Sequence, residues 1–198
     1  MKKVFYVKTS LAGISIILSM IMILCVSACN SNPKTADTKE VANEHNEAKF
    51  ENSKESDAQF LVNAAEMNLE EIQMGQLAQN KGSMPHVKNL GTMIEKGHTI
   101  SLKQVQVLAG KKQITLPASL TTDGQNAYKK LLDKSGTDFD KIYADLMVDR
   151  HKAAIKKFEA ASNSATDPDI RIWAASMLPV LRTYLDSSLT CQKECQKM

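Results

Sequence analysis

The sequence of 198 residues is poor in the residues that build sheets and tight turns, since aromatic residues make up only 5 % of it and glycines number 8. Strands are enriched in aromatic and β-branched residues, so this composition argues against an all-β fold. Alanine, leucine, lysine, glutamate and glutamine, by contrast, are plentiful. We therefore predict an all-α protein, with one domain as the expectation at this length.

Most of the chain also lacks an excess of positive or negative charge. The formal net charge is +3, from 25 basic and 22 acidic residues. Lys2, Lys3 and Lys8 lie in the first 28 residues, which contain no acidic residue, so the remainder is formally neutral. Nucleic-acid binding requires clustered lysine and arginine. We therefore expect no nucleic-acid partner.

The N-terminal segment has the features of a secretory signal peptide. Basic residues precede an apolar run over residues 11–24, which is too short and wrongly flanked for a stable membrane-spanning helix. The sequence Val26-Ser27-Ala28-Cys29 follows and resembles a bacterial lipobox, in which the cysteine is lipidated and becomes the new N-terminus. We predict that residues 1–28 are a lipoprotein signal peptide. The alternative is an ordinary exported protein that is cleaved near Ala28.

Lipidation of Cys29 would attach the protein to a membrane, because two or more acyl chains, such as palmitate, give stable anchoring. Asn30 follows the cysteine where an aspartate would retain a lipoprotein at the inner membrane. By resemblance to Gram-negative sorting rules, this favours the outer membrane if the organism is Gram-negative. The expected location is periplasmic or at the cell surface, with the membrane as a partner through the lipid anchor.

Residues 29–56 are predicted to be a disordered tether. Phe50, Val41 and a few alanines are almost its only apolar residues. Such a segment buries too little surface to offset the entropy of ordering.

The folded domain is predicted over residues 57–190. Apolar residues recur there at alternating spacings of three and four, which is typical of amphipathic helices. The pattern predicts four long helices and a short extra helix between the second and third, at about 57–81, 83–110, 119–132, 137–162 and 168–190. Long helices joined by mostly short loops favour an antiparallel four-helix bundle.

Local cap signals mark where these helices begin. Ser56-Asp57 and Ser83 are predicted N-caps, and Thr137 with Asp140 has the spacing of a capping box. Asp167 precedes a proline, which suits the first position of a helix.

Four polar residues interrupt the apolar stripes: Glu71, His98, His151 and Tyr184. Three interpretations remain open for them. They form a buried network by hydrogen-bonding one another, they bind a transition metal, or they face outward without a common role.

A metal site could also include Glu95, because the Glu-x-x-His spacing to His98 is one that di-iron bundles use. The third helix lacks this motif, since Val148 stands three residues before His151. Our first expectation is that the protein has no cofactor. The alternative is a mononuclear site for iron or another transition metal.

Cys191 and Cys195 lie in a separate tail, residues 191–198. Export to an oxidising compartment suggests a local disulfide between them, although a regular helix would have to fray for the bond to form. Intermolecular pairing and capture of a soft metal, for instance Cu(I) with Met198, are the alternatives.

Several blocks, in this order and spacing, resemble the bacterial exported proteins of the domain-of-unknown-function family 4142: residues 64–78, 87–88, 93–98, 116–117, 147–152 and 177–182. The resemblance covers about residues 57–188. It implies a ferritin-like four-helix bundle with no established reaction. Members commonly carry Glu-His after the Leu-Arg of the last helix, where this chain has Thr183-Tyr184, and this departure weakens the metal role that the resemblance implies.

The sequence contains no nucleophile–base pair, phosphate-binding loop or zinc motif. Whether the protein is an enzyme stays open, and a non-catalytic role is favoured. The first hypothesis is a membrane-tethered helical module of the cell envelope that acts through protein contacts or in stress tolerance. The second is a metal-binding or oxidative-protection protein with a degenerate site in the bundle core. The protein partner and the oligomeric state are left open.

Overall fold

The computed structural model describes residues 37–51 and 53–197. This part of the chain is all-helical and contains no strand, which confirms the predicted class. The signal peptide, Cys29, residues 30–36 of the tether and Met198 lie outside the described residues. The helices are α1 (Thr38–Glu47), α2 (Ser53–Lys81), α3 (Pro85–Lys112), α4 (Thr122–Leu132), α5 (Gly136–Ser164) and α6 (Pro168–Cys195).

The four long helices pack as two antiparallel pairs. Helix α2 packs along α3, helix α5 packs along α6, and contacts of α2 with α5 and of α3 with α6 join the pairs into a helical bundle. The short helix α4 lies in the connection between the pairs and contacts α2 and α5. None of the described helices is both long enough and apolar enough to cross a membrane.

Helices α2 and α3 approach each other closely at Gly75 and Gly91. A Cβ atom on Gly75 would lie 2.7 Å from the carbonyl oxygen of Gly91, and one on Gly91 would lie 2.6 Å from the carbonyl oxygen of Gly75. Both obstructing atoms belong to the backbone, so no side-chain rotation relieves the clash. Only glycine at both positions allows this approach.

Two aspartates connect the helix pairs through the turns. Asp57, the fifth residue of α2, accepts hydrogen bonds from the backbone N–H groups of Thr166 and Asp167 at 3.0 and 2.7 Å. Asp140, the fifth residue of α5, accepts from those of Ser83 and Met84, both at 3.0 Å. In each case the two amides immediately precede a helix that begins with proline. An aspartate of each helix pair therefore accepts hydrogen bonds from the turn that connects the two helices of the other pair.

The predicted N-cap at Ser56-Asp57 and the predicted capping box of Thr137 with Asp140 were accordingly wrong. The predicted start of the last helix at Asp167-Pro168 is confirmed, and Asp167 is the N-cap of α6, accepting from Asp169 N at 2.9 Å. Helix α5 begins at Gly136 with Ser135 as N-cap, and Asp140 points to the other pair. Ser83 does not cap α3, because its hydroxyl donates to Asp140. Local spacing alone cannot reveal that a carboxylate serves a distant turn.

The tether prediction was also wrong for residues 38–47, which form α1. Polar contacts rather than a broad apolar face hold this helix. Asp37 accepts from Thr122 N at 2.6 Å, and Asn46 exchanges two hydrogen bonds of 2.9 Å with the backbone of Thr115. Lys39 pairs with Glu66 of α2 at 2.5 Å. Composition predicted disorder here because such side-chain-to-backbone pairings leave no periodic apolar signal.

Candidate functional site

Three polar side chains from three helices meet inside the bundle. Glu71 of α2, His98 of α3 and His151 of α5 each offer one ligand atom, and these atoms lie within 4.8 Å of one another. Each residue is only 1 % exposed. Tyr184 of α6 covers the group, with its ring centroid 5.4 Å from that of His98 and 5.6 Å from that of His151. The structure thus brings together all four polar residues that interrupt the apolar stripes.

The tautomer of His98 follows from its neighbour. Asn68 donates from Nδ2 to the carbonyl oxygen of Ala64 at 2.7 Å, which directs its Oδ1 toward His98 Nδ1 at 2.8 Å. An amide oxygen only accepts, so Nδ1 of His98 carries the hydrogen. In the neutral ring, Nε2 then has a free lone pair directed into the cluster.

The same argument applies to His151. Its Nδ1 lies 2.7 Å from the carbonyl oxygen of Met147, one turn earlier in α5, and a carbonyl oxygen only accepts. The lone pair of the neutral imidazole is therefore on Nε2. Neither Nε2 atom has a hydrogen-bond partner within residues 37–51 and 53–197.

Burial keeps both imidazoles neutral. Burial, with a smaller contribution from the neighbouring His151, lowers the pKa of His98 to about 3. Burial also lowers the pKa of His151 to about 4; the positive charge of Arg150 acts in the same direction, and the bond to Met147 opposes it. At neutral pH, both rings therefore present an unprotonated nitrogen.

Glu71 completes the group with a carboxylate. Its Oε1 accepts from Nε of Arg150 at 2.7 Å, while its Oε2 has no partner among the described residues. Burial raises the pKa of Glu71 to about 8, and the guanidinium of Arg150 acts in the opposite direction because it favours the ionised form. Arg150 also pairs with Glu70, so two carboxylates hold it in place.

The hydrogen bonds expected among the four residues are not formed in the described part of the chain. Glu71 bonds to Arg150, His98 to Asn68 and His151 to a backbone carbonyl. Tyr184 touches the two rings by its face and edge rather than by a hydroxyl hydrogen bond. The four residues are neighbours, but they are not one another's hydrogen-bond partners.

Gly97 explains why Tyr184 fits against α3. A Cβ atom at this position would lie 1.7 Å from the Tyr184 hydroxyl oxygen. The absence of a side chain on Gly97 thus leaves the space that the tyrosine hydroxyl occupies.

Glu95 lies outside the cluster, contrary to its proposed role as a fifth member. Its carboxylate accepts from Gln76 at 2.8 Å and from Gln79 at 2.6 Å, both on α2. These hydrogen bonds lower the pKa of Glu95. The Glu-x-x-His spacing is present in the sequence, but the two side chains serve different contacts.

Sequence reasoning missed three residues of the site: Asn68, Arg150 and Tyr143. Asn68 stands three residues before Glu71 on the same helix, and Arg150 directly precedes His151, so their positions alone were a usable signal. Tyr143 is fully buried, and its hydroxyl has no partner among the described residues. Burial, together with Glu71 and Cys191, raises its pKa well above 10.

A cavity of about 700 Å³ between α2 and α5 approaches the cluster from one side. Glu70 and Arg150 contribute to its lining, so the ion pair that covers Glu71 also borders this cavity.

The two terminal cysteines do not form the expected local disulfide in this structure, where both thiols are free and buried. Helix α6 continues regularly through Cys195, so residues 191–195 belong to the bundle rather than to a separate tail. A helix that stays regular keeps these two positions at the edge of disulfide geometry. Burial raises the pKa of Cys191 to about 12 and also raises that of Cys195, so both thiols hold their protons at neutral pH.

The cluster of Glu71, His98 and His151 fits a transition-metal ion. Metal-bound histidines generally donate their second ring N–H to an oxygen, as both do here. Two imidazoles with one carboxylate are a donor set for iron and zinc, whereas Mg²⁺ and Ca²⁺ prefer oxygen ligands alone. Three buried polar atoms that lack hydrogen-bond partners among the described residues are otherwise costly, and a cation bound to the ionised Glu71 and the two neutral rings would satisfy all three.

Comparison with known proteins agrees with the resemblance seen in the sequence. Residues 41–188, about three quarters of the chain, match the family described as "Domain of unknown function (DUF4142)". No curated protein and no solved structure matches the chain. The matched range contains Glu71, His98, His151 and Tyr184 and ends before Cys191. Because this match covers well over half of the sequence, the chain belongs to the family Domain of unknown function (DUF4142).

Proposed function

We propose that the bundle binds one transition-metal ion between Glu71, His98 and His151. One observation carries the proposal: Glu71 Oε2 and the two histidine Nε2 atoms are buried and lack hydrogen-bond partners among the described residues. The geometry favours this function over a purely structural one. A structural polar network pairs its own members, whereas the hydrogen bonds of these residues go to surrounding groups.

The side chains are prepared for a metal ion before it arrives. Asn68 and Met147 orient the two rings, and burial keeps both imidazoles unprotonated. Ligand atoms bound at about 2.1 Å from one ion lie at most about 4.2 Å apart. The present limit of 4.8 Å therefore requires only small side-chain movements.

Iron is the ion that best supports a role in oxidative protection. Three protein ligands leave coordination positions open, and two histidines with one carboxylate are the donor set of non-haem Fe(II) sites. An iron ion would supply reactivity toward oxygen species, while the chain's own residues bind it, orient it and exclude bulk water. Tyr184 and the buried surroundings of the cluster serve this last role.

The proposed architecture is a ferritin-like four-helix bundle. Two antiparallel helix pairs and the long connection that contains α4 support it. Inward-facing carboxylate and imidazole groups on separate helices support it as well. The site differs from a di-iron centre because Glu95 points away and Tyr184 replaces a metal ligand on α6.

Membrane attachment through a lipidated Cys29 is a separate proposal, which rests on the lipobox-like sequence Val26-Ser27-Ala28-Cys29. Intact-mass analysis of protein purified from its native membrane tests it. The expected chain begins at residue 29 and carries the added mass of acyl groups. An unmodified chain that begins elsewhere would remove the basis for the anchor.

Metal analysis of the purified full chain, without a histidine tag, tests the metal-binding proposal. We expect the parent to contain about one iron or zinc ion per chain more than the double variant His98→Gln/His151→Gln, which lacks two ligands of the cluster. His45→Gln is the matched control, because His45 is exposed on α1 and should leave the metal content unchanged.

A second comparison separates the two carboxylates. Glu71→Gln keeps the shape of the side chain but cannot release a proton to become a carboxylate ligand, so metal content should fall strongly. Glu95→Gln should retain the metal, because Glu95 lies outside the cluster. Equal metal content in the parent, in Glu71→Gln and in the double histidine variant would disprove the site, provided that circular dichroism shows that all are folded.

A further inference from the structure

A second group of ligating side chains lies at the end of the bundle where α3 begins and α6 ends. His86 is the second residue of α3, and Cys191 and Cys195 lie in the last turns of α6. One ligand atom from each of the three lies within 4.8 Å of the others. The Cys195 sulfur is 3.5 Å from Nε2 of His86.

The surroundings combine burial with access from solvent. Cys191 is 3 % exposed and Cys195 is 1 % exposed, while His86 is half-buried. A metal ion could therefore arrive on the side of His86 and be bound by sulfur atoms that are shielded from water. The Cys195 sulfur also lies 3.7 Å from the backbone carbonyl oxygen of Asp140, so α5 closes the group from a third direction.

We propose that His86, Cys191 and Cys195 form a second metal site, which binds a thiophilic ion, Zn(II) or Cu(I). Two sulfur ligands and one imidazole are a soft donor set that disfavours Mg²⁺, Ca²⁺ and Mn²⁺. Zn(II) would accept a water molecule as its fourth ligand, as it does at other sites with two cysteines and one histidine. Cu(I) would be satisfied by the three protein ligands.

Binding is an exchange of protons for the metal ion. Each thiol releases its proton to solvent as its sulfur binds, and His86 donates a lone pair from a ring nitrogen that carries no hydrogen. Two protons therefore leave for each ion bound. No electron is transferred, so the site needs no oxidant or reductant.

This site is independent of the cluster at Glu71. The two groups share no ligand. The cysteines follow the range that matches the family, so family membership does not imply this site. The proposal also differs from capture by the cysteines with Met198, because the third ligand here comes from the start of α3.

Co(II) is the first probe, because sulfur–cobalt bonds give a charge-transfer absorption in the near ultraviolet and tetrahedral coordination gives visible bands. The full chain, reduced and stripped of metal, is titrated with Co(II), and Zn(II) is then added as a competitor. We expect both sets of bands in the parent and their loss when Zn(II) displaces Co(II). A competition with a coloured Cu(I) chelator under anaerobic conditions decides between the two native ions.

Variants identify the ligands. Cys191→Ser and Cys195→Ser should each reduce the charge-transfer intensity by about half or abolish binding, and the double variant should lose the band. His86→Gln should weaken binding and alter the visible bands. His45→Gln is the matched control and should keep the parent spectrum, because His45 is exposed on α1. The His98→Gln/His151→Gln variant should also keep the charge-transfer band, which separates failure here from failure at the cluster of Glu71.

Three outcomes would overturn the proposal. The first is a parent spectrum without a sulfur–cobalt band. The second is a band that the double cysteine variant retains while circular dichroism shows that it is folded. The third is a disulfide between Cys191 and Cys195 in protein that was alkylated as it was isolated, since a disulfide removes both ligands.

Discussion

Asn68 fixes the ring of His98: its Oδ1 accepts the Nδ1 hydrogen at 2.8 Å, while its own Nδ2 is held by the Ala64 carbonyl oxygen at 2.7 Å. Neither residue can therefore rotate without breaking a buried hydrogen bond. The consequence is that Nε2 of His98 points to the interior of the cluster before any ion is present. Metal affinity should depend on a residue that does not contact the metal.

Asn68→Ala should weaken metal binding by about ten- to a hundredfold, which is typical when the partner of a ligating histidine is removed. The affinity is measured by competition with a chelator of known strength. Asn63→Ala is the control on the same helix, because Asn63 is only half-buried and contacts Gln59 instead of the site. An unchanged affinity in Asn68→Ala would show that its hydrogen bond does not prepare His98.

Without bound metal, the free energy of unfolding should have its maximum near pH 6.5. The pKa of each buried histidine is lowered from 6.5, to about 3 in His98 and about 4 in His151. The unfolded state therefore binds more protons below pH 6.5. For each unit by which the pH falls below 6.5, each histidine lowers the free energy of unfolding by about 1.4 kcal/mol. Glu71 acts oppositely: its pKa rises from 4.5 to about 8, so its contribution is lost as the pH increases toward 8.

The net effect of these three groups is a loss of about 1.4 kcal/mol per pH unit between pH 6.5 and 4.5, where two histidines oppose one glutamate. Urea unfolding with a chelator present measures it. Glu71→Gln should lose less stability than the parent above pH 6.5 and more below it. Parallel profiles of the parent and this variant would contradict the assignment of Glu71.

Asp140→Ala should lower the free energy of unfolding by about 1–3 kcal/mol, because it leaves the partly buried N–H groups of Ser83 and Met84 without an acceptor. Denaturant unfolding at neutral pH gives the value. Asp138→Ala is the matched control, since Asp138 lies in the first turn of the same helix but is exposed. A similar loss in both variants would indicate a general charge effect at the start of α5.

Gly91→Ala and Gly110→Ala should have opposite effects, although both glycines lie in α3. The first places a Cβ atom 2.6 Å from a backbone oxygen of α2, so the helices must separate, at a cost of about 1–3 kcal/mol. The second meets nothing within 4 Å and should stabilise by about 0.4–1 kcal/mol through the unfolded state. Thermal unfolding of the two variants, measured side by side, tests this prediction. If both variants were more stable than the parent, the close approach of α2 and α3 at Gly91 would be refuted.

The sequence was sufficient to predict the class of fold and the four long helices, because apolar residues recur at alternating spacings of three and four in each of these helices. The same periodicity placed Glu71, His98 and His151 on inner faces, and the structure brings them together. It did not separate Glu95 from His98, because residues three apart differ by only about 60° around a helix. That angle is enough to direct Glu95 to the two glutamines of α2.

Local sequence patterns could not predict contacts between segments that are distant in the sequence. Asp140 looks like a local cap in the sequence, and only the packing of two helix pairs reveals that it serves Ser83. His86 likewise stands far from Cys195 in the sequence, although their side chains are 3.5 Å apart. The acceptors that orient the two imidazoles, Asn68 and the carbonyl of Met147, depend on side-chain conformation, which spacing does not specify.

The reciprocal positions of Asp57 and Asp140 make the two helix pairs one cooperative unit. Separating the pairs would leave four turn amides without their acceptors and two carboxylates without their donors at the same time. The amide hydrogens of Ser83, Met84, Thr166 and Asp167 should therefore exchange with solvent together, through global unfolding rather than local opening. Turns, which usually exchange first, would in this protein be among the last segments to open.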